Sequence, residues 1–240
     1  MGRHWQNIKL GKGKADAARG AKFTQLGRAI TMAAKEKGGD PDMNAKLSMA
    51  IQKAKEAFMP KDNIERAIKK GTGELVSEVI EELQYEGYGP GGAAILAETV
   101  TDNRNRTIGN VKNAFSKNGG NLGAEGSVAW MFERKGVISI SNEELEERDA
   151  DQTELDLIEA GAEDIRREDG GWSVITAYND LHPVREKIMK LGIPVAAAEH
   201  EYLPKDAIAV PEEQKEGLQE LIDALESDED VKAVYTNARM

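Results

Sequence analysis

Apolar residues recur at helical spacing from Phe23 onward: Phe23, Leu26, Ile30 and Ala33 fall on one face, and Gly38-Gly39 ends the pattern. Asp40-Pro41 then reads as N-cap and first-turn proline of a second helix, whose Leu47, Ala50, Ile51, Ala54 and Phe58 share a face. Met59-Pro60 breaks that helix. Asp62 or Asn63 can cap a third, which carries Ile64, Ala67 and Ile68 and stops at Gly71-Thr72-Gly73. Helices this short are not stable alone, so the pattern predicts a small three-helix domain over 23–75.

From residue 80 the period shortens to that of a strand. Leu83, Tyr85 and Gly87 alternate with Gln84 and Glu86, "YGPGG" turns the chain, and "AAILAETVT" is continuously apolar, like a buried strand. A helix follows with Ile108, Val111, Ala114 and Phe115 on one face and Asn118-Gly119-Gly120 at its end. "SVAWMFE" alternates again through Val128, Trp130 and Phe132. Residues 136–204 spell the strand "GVISIS", a helix over 143–160, and a hairpin of "AEDIRRE" and "WSVITAY" through Asp169-Gly170-Gly171. A helix capped by Asn179 or Asp180 and a strand in "IPVAAAEHEY" complete that stretch. The order β-α-β-β-α-β is the ferredoxin-like unit, which closes on itself.

The end of the chain adds "AIAV", a helix carrying Leu218, Leu221, Ile222 and Leu225, and "VKAVYTN". Neither 80–134 nor 205–240 makes a complete α/β layer, whereas the two joined do. The expected fold class is therefore multidomain α and α+β. A basic flexible arm (1–22) and a three-helix domain (23–75) precede two ferredoxin-like α/β domains, one (136–204) inserted in the other (80–134 plus 205–240).

Composition sharpens this picture. With 240 residues, 40% hydrophobic and 31% charged, the chain reads as globular. It has no run of about 18 apolar residues, so no membrane partner is expected. With no apolar leader either, a cytoplasmic location fits. The absence of cysteine removes disulfides, thiolate nucleophiles and Cys-ligated zinc. The net charge of -11 is badly mixed: residues 1–70 hold 16 Lys and Arg against 7 Asp and Glu, and residues 71–240 hold 16 against 36. A cationic head on an anionic body points to a polyanion-binding portion carried by a scaffold that repels polyanions.

Three stretches, "WQNIK…KADAARGAKFTQL", "VTDNRNRT" and "KNGGNLGAEGSVAWMF", together resemble the YebC/PmpR family, which includes the mitochondrial translational activator of cytochrome c oxidase. The likeness continues through "MPKDNIERAIKKGTG" to "VYTNA" and covers almost the whole chain. It implies a helical N-terminal domain, two α/β domains and nucleic-acid binding, as DNA-binding transcriptional regulators or as factors acting in translation. One departure is visible: family members usually place two residues between the initial His and the Trp, and here His4 adjoins Trp5.

The arm's cations, Arg3, Lys9, Lys12, Lys14, Arg19 and Lys22, are opposed only by Asp16. Six phosphate contacts would give log K a slope of about -5 against log salt on B-DNA. Trp5, with His4 beside it, can stack on an unpaired base. The bundle extends this surface through Arg28, Lys35, Lys46, Lys53, Lys55, Lys61, Arg66, Lys69 and Lys70; Lys46 with Lys53, and Arg28 with Lys35, are spaced to share a helix face. In "TDNRNRT", Asp102 or Asn103 can cap a helix whose Arg104 and Arg106 either bind phosphate or pair with the acidic body. "GGNLGAEGS" lacks the Lys-Ser/Thr of a phosphate loop. His4, His182 and His200 lack metal-pair spacing, and no G-x-S-x-G elbow occurs, so neither enzyme, metal nor cofactor is expected.

These readings point to a nucleic-acid-binding regulator of gene expression. A DNA-binding transcriptional regulator is the first version; a factor that binds ribosomal or messenger RNA is the alternative. The acidic α/β domains offer a face for a basic protein, and a protein–protein adaptor is the reading from another class.

Overall fold

The computed structural model describes residues 17–75, 80–145, 148–168 and 170–239. The arm positions Arg3, His4, Trp5, Lys9, Lys12 and Lys14 lie outside the described residues. The described residues divide into two compact units, one of Met131–Ala207 and the other of the residues from Ala17 to Trp130 together with Ile208–Arg239.

The second of these begins with α1 (Ala17–Lys37), α2 (Ala45–Glu56) and α3 (Lys61–Gly71). Helix α1 starts ahead of Phe23, inside the stretch expected to be a flexible arm, because Ala17, Ala18 and Ala21 favour helix without needing a large apolar side chain to bury. Arg19 and Lys22 consequently sit on a helix. Ile30, Ala33 and Ala34 of α1 pack against Leu47 and Ala54 of α2 and Ile64 and Ala67 of α3. Burial of a side chain such as Ile30 or Leu47 contributes roughly 1.5–3 kcal/mol.

Asn44, not Asp40, caps α2. Its Oδ1 accepts from Leu47 N at 3.1 Å, and its Nδ2 donates to the carbonyls of Ala33 and Gly38, tying two helix ends together. Asp40 instead holds a local turn by accepting from Asp42 N. Pro60 occupies the capping position of α3, so neither Asp62 nor Asn63 caps it. A Cβ on Gly71 would collide with the Thr31 carbonyl and Ala34, so only glycine permits this approach of α3 to α1.

Strands β1 (Glu81–Tyr88) and β2 (Ala94–Thr101) form a hairpin, followed by α4 (Arg104–Lys117) and the short β3 (Asn121–Leu122). After the other unit come β8 (Ile208–Ala209), α7 (Glu212–Glu226), β9 (Val231–Thr236) and β10 (Ala238–Arg239). The antiparallel sheet runs β3-β1-β2-β9, with Leu96 opposite Tyr235, and β8 and β10 make a separate parallel pair. Ile95 and Ala97 of β2 meet Val111 and Phe115 of α4 and Leu218, Leu221, Ile222 and Leu225 of α7.

The remaining unit holds β4 (Phe132–Ser141), α5 (Ala150–Ala160), β5 (Asp164–Glu168), β6 (Gly171–Ala177), α6 (Leu181–Lys190) and β7 (Ala197–Pro204). Its antiparallel order β5-β6-β4-β7 is ferredoxin-like. Helix α5 starts later than residue 143, because Asn142–Glu144 forms a 3₁₀ turn and Asp149 caps the helix by accepting from Gln152 N. "SVAWMFE" is only partly strand, since Ala129–Met131 is a 3₁₀ turn before β4.

Candidate nucleic-acid interface

Helix α3 is strongly two-sided. Ile64, Ala67 and Ile68 join the core, while Asp62, Glu65, Arg66, Lys69 and Lys70 are exposed. On one flank of this helix lies a groove of about 680 Å³. Arg66, Lys70 and Asn63 form its α3 wall, Phe23, Thr24 and Gly27 its α1 wall, and Arg28, Ile80 and Asp102 its far end. Two cations beside an apolar surface and small polar side chains can take a phosphate with its base.

The far end of the groove is a buried charge cluster. Asp230, 1% exposed just ahead of β9, pairs with Arg28 Nη1 at 2.7 Å and accepts from Arg106 Nη2 at 2.7 Å and Thr107 Oγ1 at 2.8 Å. Asp102 lies 3.4 Å from Arg28 Nη2 and 2.9 Å from Arg106 Nη2. Arg28 Nη1 also donates to the Glu229 carbonyl, and Gln25 Nε2 donates to that of Val231 at 2.6 Å. Helix α1 is thus clasped to the end of the sheet. Burial pushes the Asp230 carboxyl up, but the hydrogen bonds from Arg106 and Thr107 and the charge of Arg28 outweigh it, so it titrates below the usual carboxylate range. Its bond to Asp230 likewise raises Arg106 above the ordinary guanidinium value.

This cluster explains "TDNRNRT". Asn103 caps α4 by accepting from Arg106 N at 3.1 Å, and Thr101 Oγ1 accepts from Asn103 N. Of the two readings open for its arginines, Arg106 follows pairing with the acidic body; Arg104 remains exposed. Arg28 departs from expectation more sharply. It is 7% exposed and held by two carboxylates, so it does not share an outward face with Lys35.

The glycine-rich loop after α4 already contains an anion. Glu86, 4% exposed, accepts from the N–H groups of Gly126, Val128 and Ala129, each at 2.7 Å. Burial raises this carboxyl, but the three N–H bonds prevail and hold it below the usual range. Those donors are therefore unavailable to a phosphate.

The other expected cations fall into groups. Lys22, Lys35, Lys46, Lys69 and Lys70 are exposed and Lys53 is half-buried, so Lys46 and Lys53 differ in their surroundings despite their spacing. Lys46 pairs with Glu36 at 2.7 Å. Arg66 and Asn63 stand out as groove residues only once α3 is laid against α1. Elsewhere, His200 donates through Nε2 to the Tyr178 carbonyl at 2.9 Å and stacks on its ring. Among the described residues no group of three or more His, Asp or Glu is placed to hold a metal ion. None of the described helices is long and apolar enough to cross a membrane.

A three-helix domain clasped to an α/β sheet, with a ferredoxin-like unit beside it in the chain, is an architecture this protein shares with known ones. Residues 3–74 match the family description "TACO1/YebC protein N-terminal domain", and residues 80–238 match "TACO1/YebC second and third domain". The chain belongs to the TACO1/YebC family. It is 47% identical over 233 residues to a protein of Natranaerobius thermophilus named "Probable transcriptional regulatory protein", covering 97% of this chain and 93% of that one. A similarly named protein of Desulfosudis oleivorans is 49% identical over 236 residues, with 98% and 95% covered. The crystal structure of a conserved hypothetical protein from Aquifex aeolicus superposes with a TM-score of 0.87 at 42% identity, covering 98% of this chain and 96% of that one.

Proposed function

We propose that this protein is a nucleic-acid-binding regulator of gene expression, acting as a DNA-binding transcriptional regulator without a catalytic step of its own. The observation that carries this reading is the groove between α1 and α3, where Arg66 and Lys70 stand beside Phe23 and Asn63. The basic sequence of residues 1–16 leads directly into the helix that forms one wall, and that helix carries Arg19 and Lys22 in its first turns. Arg66, Lys69, Lys70 and Lys22 are the phosphate-seeking groups; Arg28 and Arg106 hold the scaffold. The names of the relatives from Natranaerobius and Desulfosudis add to the case for a regulator.

The test is titration of a labelled promoter-length duplex at several salt concentrations. Affinity should fall linearly on a log–log plot, and changing Arg66, Lys69 and Lys70 together to Glu should abolish binding. Salt-independent binding, or full binding by the triple variant, would overturn the proposal.

A second reading, binding of RNA in translation, is favoured by one observation. The exposed face of α3 carries Asp62 and Glu65 among its cations, which suits a duplex groove poorly, whereas a recess accepts an unpaired nucleotide. Tighter binding to a looped RNA than to any duplex DNA, with salt-labile ribosome co-sedimentation, would select it.

A further inference from the structure

Phe58, in the turn between α2 and α3, has a backbone φ of 59° and is the only described residue other than glycine with a positive φ. The turn is a Schellman motif: Met59 N donates to the Ala54 carbonyl and Phe58 N to that of Lys55, both at 2.9 Å. Phe58 therefore stands where glycine is the usual occupant, and a bulky side chain in the left-handed region is strained. Packing does not compensate for that strain. Met59 goes into the core beside Ala54, as the motif requires, whereas Phe58 is 89% exposed.

A strained backbone and an aromatic ring held out in water are both unfavourable for folding alone. Their coincidence at one residue asks for a role outside the fold. The surroundings say what would meet the ring. Lys55 and Lys61 lie three residues to either side in the chain and are exposed, Lys61 pairing with Glu65 at 3.4 Å, and Glu56 and Asp62 are the nearest acids in sequence, so the ring faces solvent in a segment with a small excess of cations. An aromatic face beside positive charge matches one ligand chemistry well: a nucleobase removed from its stack, with its flanking phosphates on the lysines.

We infer that Phe58 is a stacking platform for an unpaired base. The inference rests on the nucleic-acid reading above and names what the ring itself recognises: single-stranded or looped segments, in addition to whatever the α1–α3 groove binds. It also adds a contact point next to the α1–α3 groove, whose lining includes the adjacent Met59 but not Phe58.

The test compares the full-length protein with Phe58→Gly, Phe58→Trp and Phe58→Leu on labelled oligothymidylate, oligouridylate and a blunt DNA duplex. Phe58→Gly relieves the strained φ, so it should melt no lower than the parent. It should nonetheless bind the single strands at least about five-fold more weakly, with duplex binding unchanged. Phe58→Trp should bind single strands as well as the parent or better, and Phe58→Leu should resemble Phe58→Gly. If the parent binds single strands and Phe58→Gly matches it, the stacking role is wrong while the nucleic-acid reading stands. If the parent binds neither strand nor duplex, both are wrong. Equal losses on strand and duplex would also overturn stacking, because they would mean only that the turn orients nearby lysines.

Discussion

Arg28 on α1 and Arg66 on α3 carry the same guanidinium and flank the same groove, yet they belong to different parts of the molecule's work. Arg28 meets Asp230 at 2.7 Å and Asp102 at 3.4 Å and is almost wholly enclosed. Arg66 is exposed on a helix face shared with Lys69 and Lys70. What separates them is the position of buried carboxylates: where the fold brings an acid beneath a cation, that cation becomes a fastener. A cation count along the sequence therefore overstates the binding surface by the number of fasteners in it.

The largest expected effect breaks the fastener. Asp230→Asn leaves the enclosed Arg28 with Asp102 alone as charge partner and takes the buried carboxylate from Arg106 as well, and should destabilise the protein by about 3–5 kcal/mol in denaturant unfolding. Nucleic-acid affinity of the folded fraction should stay near that of the parent, since Arg66 and Lys70 are untouched.

Next is Glu86→Gln, whose amide can accept only some of the N–H bonds now made by the carboxylate. A loss of about 2–3 kcal/mol is expected, with hydrogen exchange rising at Gly126, Val128 and Ala129.

Acid should probe both carboxylates together. Each titrates lower when folded than its unfolded value of about 3.9 (Asp) or 4.3 (Glu), so its contribution is complete above that unfolded value. It is lost as pH falls through the lower folded value. Thermal midpoints should accordingly decline below about pH 4, and the decline should be shallower in Asp230→Asn.

The smallest stability effect belongs to the free-facing side of the comparison. Arg66→Ala with Lys70→Ala should change stability by no more than about 0.5 kcal/mol. The salt slope of DNA binding should shrink by about 0.9 for each phosphate contact removed. If Arg66→Ala instead unfolded the protein, the distinction between the two arginines would fail.

Much of the architecture is legible in short-range pattern. The hairpin of β5 and β6 is announced by Asp169-Gly170-Gly171 between alternating strands, and Leu218, Leu221, Ile222 and Leu225 mark the buried face of α7. Local pattern fails where a distant partner overrides it. Alternation along β1 sends Glu86 outward with Gln84, yet three N–H groups from a loop some forty residues later draw it inside. Arg28 reads as one more surface cation because Asp230 lies at the other end of the chain. Turn chemistry misleads too: Asp40-Pro41 has the look of a helix start, but Asn44 alone can reach Ala33 and Gly38 as well as cap α2. The groove itself leaves no trace in any single helix, since its walls meet only after α1 and α3 pack.

The clasp at Asp230 has a consequence for the order in which this chain is made. A ribosome delivers the three basic helices well before Asp230, so Arg28 spends a long stretch of synthesis without the buried carboxylate that encloses it. During that interval Arg28 adds its charge to the exposed Arg66, Lys69 and Lys70, and arrival of Asp230, just ahead of β9, withdraws it. Completion of the polypeptide thus changes how strongly its own beginning is attracted to phosphate.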